Sequence, residues 1–153
     1  MSMQLAHYLA LLHRAQQDLA AGFRGVAGAH GDEADVAILC GRLAAQCDRH
    51  AEQLGPLSER YGEDASDQPD GLFSDRFGGP RSGPLGLLRD LHDLYVMAAE
   101  CDICWTLVGQ AAQGARDGDL LGVVQRCEVE TAGQLAWLRT RLKQAAPQTL
   151  VVA

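Results

Sequence analysis

Apolar positions recur along most of this chain at spacings of three and four, and they divide it into four helical stretches. From about Ser2 to Ala27 the stripe is Leu5, Tyr8, Leu9, Leu12, Gln16, Leu19, Phe23 and Val26, which lays one face along one helix. Glycines at 28 and 31 end it. Asp32 is placed to cap a second helix, with acidic Glu33 and Asp35 in the first turn, where the helix dipole favours them. That helix runs from about Glu33 to Tyr61 with a stripe of Val36, Leu39, Cys40, Leu43, Cys47, His50, Leu54, Leu57 and Tyr61. Pro56 is expected to kink or interrupt it near its end, because proline cannot donate to the ladder.

Residues 62–83 break the period. They are rich in Gly, Pro, Asp and Ser, and so read as a long connection. A helix of 28 residues is about 42 Å long. An extended segment of this length can run the whole of it, pinned by Leu72, Phe73 and Phe77. Ser82-Gly83-Pro84 is a helix start, and a third helix is expected over about 84–115. Its inner stripe is Leu88, Leu91, Tyr95, Ala98, Ala99, Asp102 and Thr106. Its other side is apolar as well, through Leu94, Met97, Cys101, Cys104 and Val108. A helix apolar nearly all round is buried on more than one side, so a homodimer packed through those five residues is expected. Either aspartate of Arg116-Asp117-Gly118-Asp119 can cap a fourth helix, expected over about 120–145 and stopping before Pro147. Its stripe is Leu120, Val124, Cys127, Glu128, Thr131, Leu135, Leu138 and Leu142. The connections run short, long, short. The expected fold is therefore all-α: one domain, an antiparallel four-helix bundle with a ferritin-like crossover between helices two and three.

Composition narrows the function. The chain has 153 residues and a formal net charge of −7, and its basic residues are scattered. Nucleic acid and anionic membranes are poor partners for such a surface. No stretch reaches the roughly 20 apolar residues of a membrane span. The N-terminus has no basic region ahead of an apolar run, so no signal peptide is expected. Five cysteines, an odd number, read as reduced thiols of a cytoplasmic protein.

Candidate chemistry lies where polar residues fall on inner faces: Gln16, Cys47, His50, Asp102 and Glu128, with Thr106 and Thr131 nearby and His13 and His92 at stripe edges. Folding each helix pair about its turn brings several of these to one level in the middle of the bundle. Cys47, His50, Asp102, Glu128 and His13 then form a candidate site for one transition metal, zinc or iron. The reading that weighs more is a satisfied polar core, in which the carboxylates accept bonds from His50, Thr131 or Tyr95 and Cys47 packs as a small apolar group; a small organic ligand is the third. Cys101-Asp102-Ile103-Cys104 is a C-x-x-C, but it lies in mid-helix rather than at a helix start, and so reads as packing at the dimer contact, with a redox-sensitive contact as the sharper alternative. No nucleophile elbow, Ser/His/Asp order or phosphate loop is present. His7 and His30 are expected in solvent, and Trp105 and Trp137 as packing anchors.

His50-Ala51-Glu52-Gln53-Leu54 in a long second helix, followed by a long connection, resembles the ferritin-like superfamily of rubrerythrins and bacterioferritins. The resemblance covers the architecture of the whole chain and a handful of motif residues. It implies a glutamate on helices one and three and Glu-x-x-His on helices two and four. This chain keeps His50 but has Cys47 in the glutamate's place, and keeps Glu128 but has Thr131 in the histidine's place. Helix one offers His13, Gln16 or Gln17, and helix three Asp102 or Glu100. Di-iron chemistry therefore does not carry over. The expectation is a dimeric structural or interaction module without catalysis, or else a protein with a single metal site in its core.

Overall fold

The computed structural model describes residues 3–62 and 77–151. They form four helices, and no strand occurs among the described residues: α1 (Met3–Ala29), α2 (Ala34–Arg60), α3 (Gly83–Gly114) and α4 (Gly118–Leu150). Leu72 and Phe73 lie outside the described residues. Phe77 is partly buried against the core.

Two caps follow the sequence closely. The Asp117 side chain accepts a hydrogen bond from the Leu120 backbone N–H at 3.1 Å and starts α4, and Ser82 stands at the cap position of α3, with proline in the first turn but without a side-chain capping bond. At α2 the residue before the helix is Glu33 rather than Asp32, and its side chain makes no capping bond. Neither internal proline stops its helix. α2 continues through Pro56 to Arg60, and α4 continues through Pro147 to Leu150. Both prolines are exposed, so the carbonyl that each leaves without an N–H partner can turn to water.

α1 packs against both α2 and α3. α4 packs against α3 and more sparsely against α2. Gly22 marks the close approach of α1 to α3: a Cβ there would stand 3.0 Å from Leu94 Cδ2. The interior falls into two apolar clusters. One gathers Leu19, Phe23, Val26, Val36, Leu91, Leu94 and Leu138. The other gathers Leu9, Leu12, Leu54, Leu57, Trp105, Leu120 and Val124. Along every helix the change from one cluster to the other comes in mid-sequence. On α1 and α2 it comes at Gln16 and His50.

α3 corrects the expectation of a dimer contact. Leu94, Met97, Cys101, Cys104 and Val108 are all buried by this chain's own helices, at 0–8 % exposure. α3 packs against both α1 and α4, and the side read as outer is its core side: of the stripe read as inner, Leu91 and Ala98 are buried, Leu88, Tyr95, Ala99 and Asp102 are half-buried and Thr106 is exposed. Periodicity showed that two sides were apolar but not what covered them. The same burial removes Cys101-x-x-Cys104 from any contact surface.

Opposite ends of the molecule are fixed by polar clasps. At one end, where α2 stops and α4 starts, Arg60 and Tyr61 both bond the Asp117 carboxylate, Tyr61 Oη donating at 2.6 Å. At the other, Arg81 meets the start of α3, and Pro80 lies against Gly25 of α1.

Candidate functional site

His50 lies on the buried face of α2, between Cys47 one turn before and Leu54 one turn after, and has no exposed surface. Its Nδ1 is 3.3 Å from Gln16 Oε1 on α1, and its Nε2 is 3.0 Å from Glu130 Oε1 on α4. The Trp105 indole stands edge-on to the imidazole, with ring centroids 5.8 Å apart at 86°. Trp105 Nε1 donates to Thr131 Oγ1 at 3.1 Å, and the Thr131 hydroxyl donates to the Cys127 carbonyl at 3.0 Å. All four helices thus contribute to one polar layer between the two apolar clusters.

Cys47 belongs to the same layer. Its thiol lies 3.6 Å from Gln134 Nε2, and that amide also donates to Gln46 Oε1 at 3.0 Å. Further along, Cys127 Sγ lies 3.9 Å from Gln53 Oε1. These contacts and the Arg141–Asp35 bond of 2.8 Å form a ladder of polar rungs joining α2 to α4. They bridge the pair of helices that packs more sparsely.

Burial disfavours charge on His50 and on the Cys47 thiol. Burial pushes the His50 pKa below its usual value, and the hydrogen bond to Glu130 offsets that only in part. A neutral imidazole has one N–H, and the carboxylate of Glu130 is the stronger acceptor, so Nε2 carries the proton. Nδ1 is then an acceptor and calls for a donor from Gln16. The nitrogen of that buried amide is otherwise without a partner. Turning the amide end for end places it on Nδ1 and makes the two groups complementary. Burial also raises the Cys47 thiol to about 12, against a smaller opposing effect of the Gln134 hydrogen bond. Cys127 is likewise held near 12 and Cys104 near 11. Neutral thiols of this kind are poor nucleophiles.

Of the residues singled out from sequence, Gln16, Cys47, His50 and Thr131 sit in this layer, while Thr106 is exposed. Asp102 and Glu128 are half-buried on α3 and α4, and His13 is half-buried on α1. The carboxylate that reaches His50 is Glu130, one helical step round from the expected stripe. Among the described residues, no three His, Cys, Asp or Glu side chains form a group that could hold a metal ion. Gln134, fully within the layer, was missed because glutamine on a stripe edge carries no signal of its own.

A second buried polar group was also missed. His30 and His7, expected in solvent, are 4 % and 8 % exposed. His30 Nε2 is 2.8 Å from Asp90 Oδ2, which also accepts from the Arg81 backbone N–H at 2.9 Å. No protein-family model, curated protein or solved structure matches this chain.

Proposed function

We propose that this protein is a ferritin-like four-helix bundle that has exchanged a reactive centre for a satisfied polar one, and that it works as a dimeric structural or interaction module rather than as an enzyme. One observation carries the reading: both ring nitrogens of His50 are engaged by Gln16 and Glu130, and the thiol beside it is held neutral. Such a centre orders the bundle without leaving a reactive group free.

The pairing of residues supports the finer architecture. On α2 and α4, 46 meets 134, 50 meets 130 and 60 meets 117, so one helix advances as the other retreats. On α1 and α2, residue 16 meets 50, and Leu5 and Leu57 share a cluster. These are antiparallel pairs. The connection leaves α2 at the Asp117 clasp and enters α3 at the opposite, His30 clasp, as a ferritin-like crossover does. Five buried free thiols agree with a reducing, cytoplasmic setting.

The other reading keeps a single zinc or iron ion at this level. It is favoured by the convergence of the His50 nitrogen and a carboxylate at 3.0 Å, with Cys47 one turn away. Elemental analysis of untagged, as-purified protein separates the two. The proposal expects no stoichiometric transition metal, and His50→Ala should change stability alone. About one metal ion per chain, lost in His50→Ala with the fold retained, would establish the metal site instead.

A further inference from the structure

Most arginines among the described residues pair with a carboxylate, and Arg141 on α4 is typical, 2.8 Å from Asp35. Arg139 differs. Among the described residues, neither it nor Lys143, one turn further along α4, pairs with a carboxylate. Arg139 instead donates a hydrogen bond to Tyr95 Oη on α3, and its guanidinium carbon stands 5.2 Å from the centre of the tyrosine ring. Tyr95, Arg139 and Lys143, with Leu142 and Ala146, line a hollow of about 310 Å³ between the two helices. None of residues 131–153 is acidic. On the facing part of α3, Asp90 and Asp93 are buried and already bonded by Arg81. Residue 95 meets 139 and 105 meets 131, so the step from Arg139 to Lys143 leads away from Glu100 and Asp102.

We propose that this hollow is a binding site for a small carboxylate with an apolar body, an alkyl or arylalkyl monocarboxylate. The site is separate from the His50 layer and does not rest on the reading of that layer. Each polar side chain on its wall has a donor to spare. Arg139 uses an N–H on Tyr95 Oη and keeps the rest of its planar fork, which suits a carboxylate. Tyr95 accepts that bond on its oxygen, so its own O–H is left to donate. Lys143 adds further N–H donors. A wall that donates fits a group that only accepts, and an ionised carboxylate is such a group. The contact with the Tyr95 ring holds the guanidinium in place, so less freedom is lost when an anion binds. Leu142 and Ala146 supply an apolar wall that a bare inorganic anion leaves uncovered. The volume is at the lower end for small-molecule sites and admits one short chain or ring. A chain of charge −7 repels anions at long range, so cations without carboxylate partners are what localise one here.

Lys143 is the only lysine of the chain, which supplies the test. Reductive methylation with isotopically labelled formaldehyde puts one side-chain reporter in the hollow and keeps its charge. Titrating the full chain with octanoate should move that NMR signal along a saturable curve with a Kd of about 1 mM or tighter. Octanol lacks the charge, and acetate and inorganic phosphate lack the apolar body, so each should bind at least about tenfold more weakly. Arg139→Gln should weaken octanoate roughly tenfold, and Tyr95→Phe roughly threefold to tenfold. Arg139 is exposed, so the helix content and melting of Arg139→Gln should match the wild type, which keeps the test valid if Tyr95→Phe loosens the fold. The absence of a saturable shift overturns the proposal. So does a shift that both substitutions leave unchanged, since octanoate would then sit elsewhere. Acetate or phosphate binding as tightly as octanoate also overturns it, leaving an adventitious ion only. Octanol binding as tightly overturns it too, leaving an apolar surface. Metal at the His50 layer would overturn the functional reading without touching octanoate binding, so the two can fail separately.

Discussion

Asp90 and His30 are 60 positions apart in sequence, yet His30 Nε2 lies 2.8 Å from Asp90 Oδ2 and both side chains are buried, at 0 % and 5 % exposure. Arg81 completes the group through its backbone N–H and its guanidinium, which is 2.8 Å from Asp90 Oδ1 and 2.9 Å from Asp93 Oδ2. One carboxylate therefore ties together the end of α1, the arm leading into α3 at Arg81, and the first turns of α3.

Asp90→Ala leaves a buried imidazole and a backbone N–H without their acceptor. Breaking a buried charged pair on one side typically costs about 3–5 kcal/mol. His30→Ala removes the imidazole and leaves the arginine to serve Asp90, so a smaller loss of about 1–3 kcal/mol is expected. Urea denaturation of the two single variants and the double variant measures both losses and their coupling. A loss under about 1 kcal/mol for Asp90→Ala would show that the clasp does not hold the fold.

The cysteines should be unreactive while the protein is folded. All five are buried and free, and burial raises Cys40, Cys47 and Cys127 to about 12. At pH 8 a thiol of that pKa is ionised in only about one molecule in ten thousand. Ellman's reagent should therefore modify the native chain only at the rate at which it opens, and should count five thiols in guanidinium chloride. One thiol reacting at the speed of free cysteine would show that its helix opens locally.

The stripes of α1, α2 and α4 predict the core well. Leu9, Leu12, Leu19, Phe23, Leu54, Leu120 and Leu138 are all fully buried. Tyr8 is the exception on α1, because its turn faces a groove beside α3 rather than the interior. α3 shows the limit of periodicity. A pattern reports how much of a helix is apolar, but two apolar sides look alike whether the cover comes from the same chain or another. The polar layer was legible at Gln16, Cys47, His50 and Thr131, whose residue types stand out on apolar stripes. Glu130 and Gln134 were not, since their reach across to α2 depends on how α4 is rotated. Asp90 was hidden for a related reason: its partners, His30 and Arg81, come from other parts of the chain.

Stability should fall in mild acid through His50. Its folded pKa lies below its ordinary value of about 6.5, so the unfolded chain binds the proton more readily. The neutral ring's contribution is complete above about pH 6.5. It is lost progressively as pH falls from there to the folded pKa, with a slope of up to about 1.4 kcal/mol per pH unit. Chemical denaturation at a series of pH values should show this fall, and His50→Phe should flatten it. Nitrogen chemical shifts of His50 should report the Nε2–H tautomer. A ring protonated at both nitrogens at neutral pH would contradict the neutral layer.

Two glycine substitutions in helices should have opposite effects. A Cβ added at Gly86 would lie 2.9 Å from Arg81 Cβ and 3.2 Å from the Arg81 carbonyl carbon. The second of these is backbone, so it cannot swing aside as a side-chain tip can. The arm has to lift, and that strains the bonds from Arg81 to Asp90 and Asp93. Overpacking of this kind costs about 1–3 kcal/mol, more than the gain of up to about 1 kcal/mol from replacing a helical glycine by alanine. Gly41, exposed in the middle of α2, has no atom within 4 Å of an added Cβ. Gly41→Ala should therefore stabilise by about 0.4–1 kcal/mol through the unfolded state alone. Thermal melts of the two variants compare them directly. Gly86→Ala matching Gly41→Ala in the sign of its shift would mean that the Arg81 arm yields freely and is not a fixed part of the His30–Asp90 clasp.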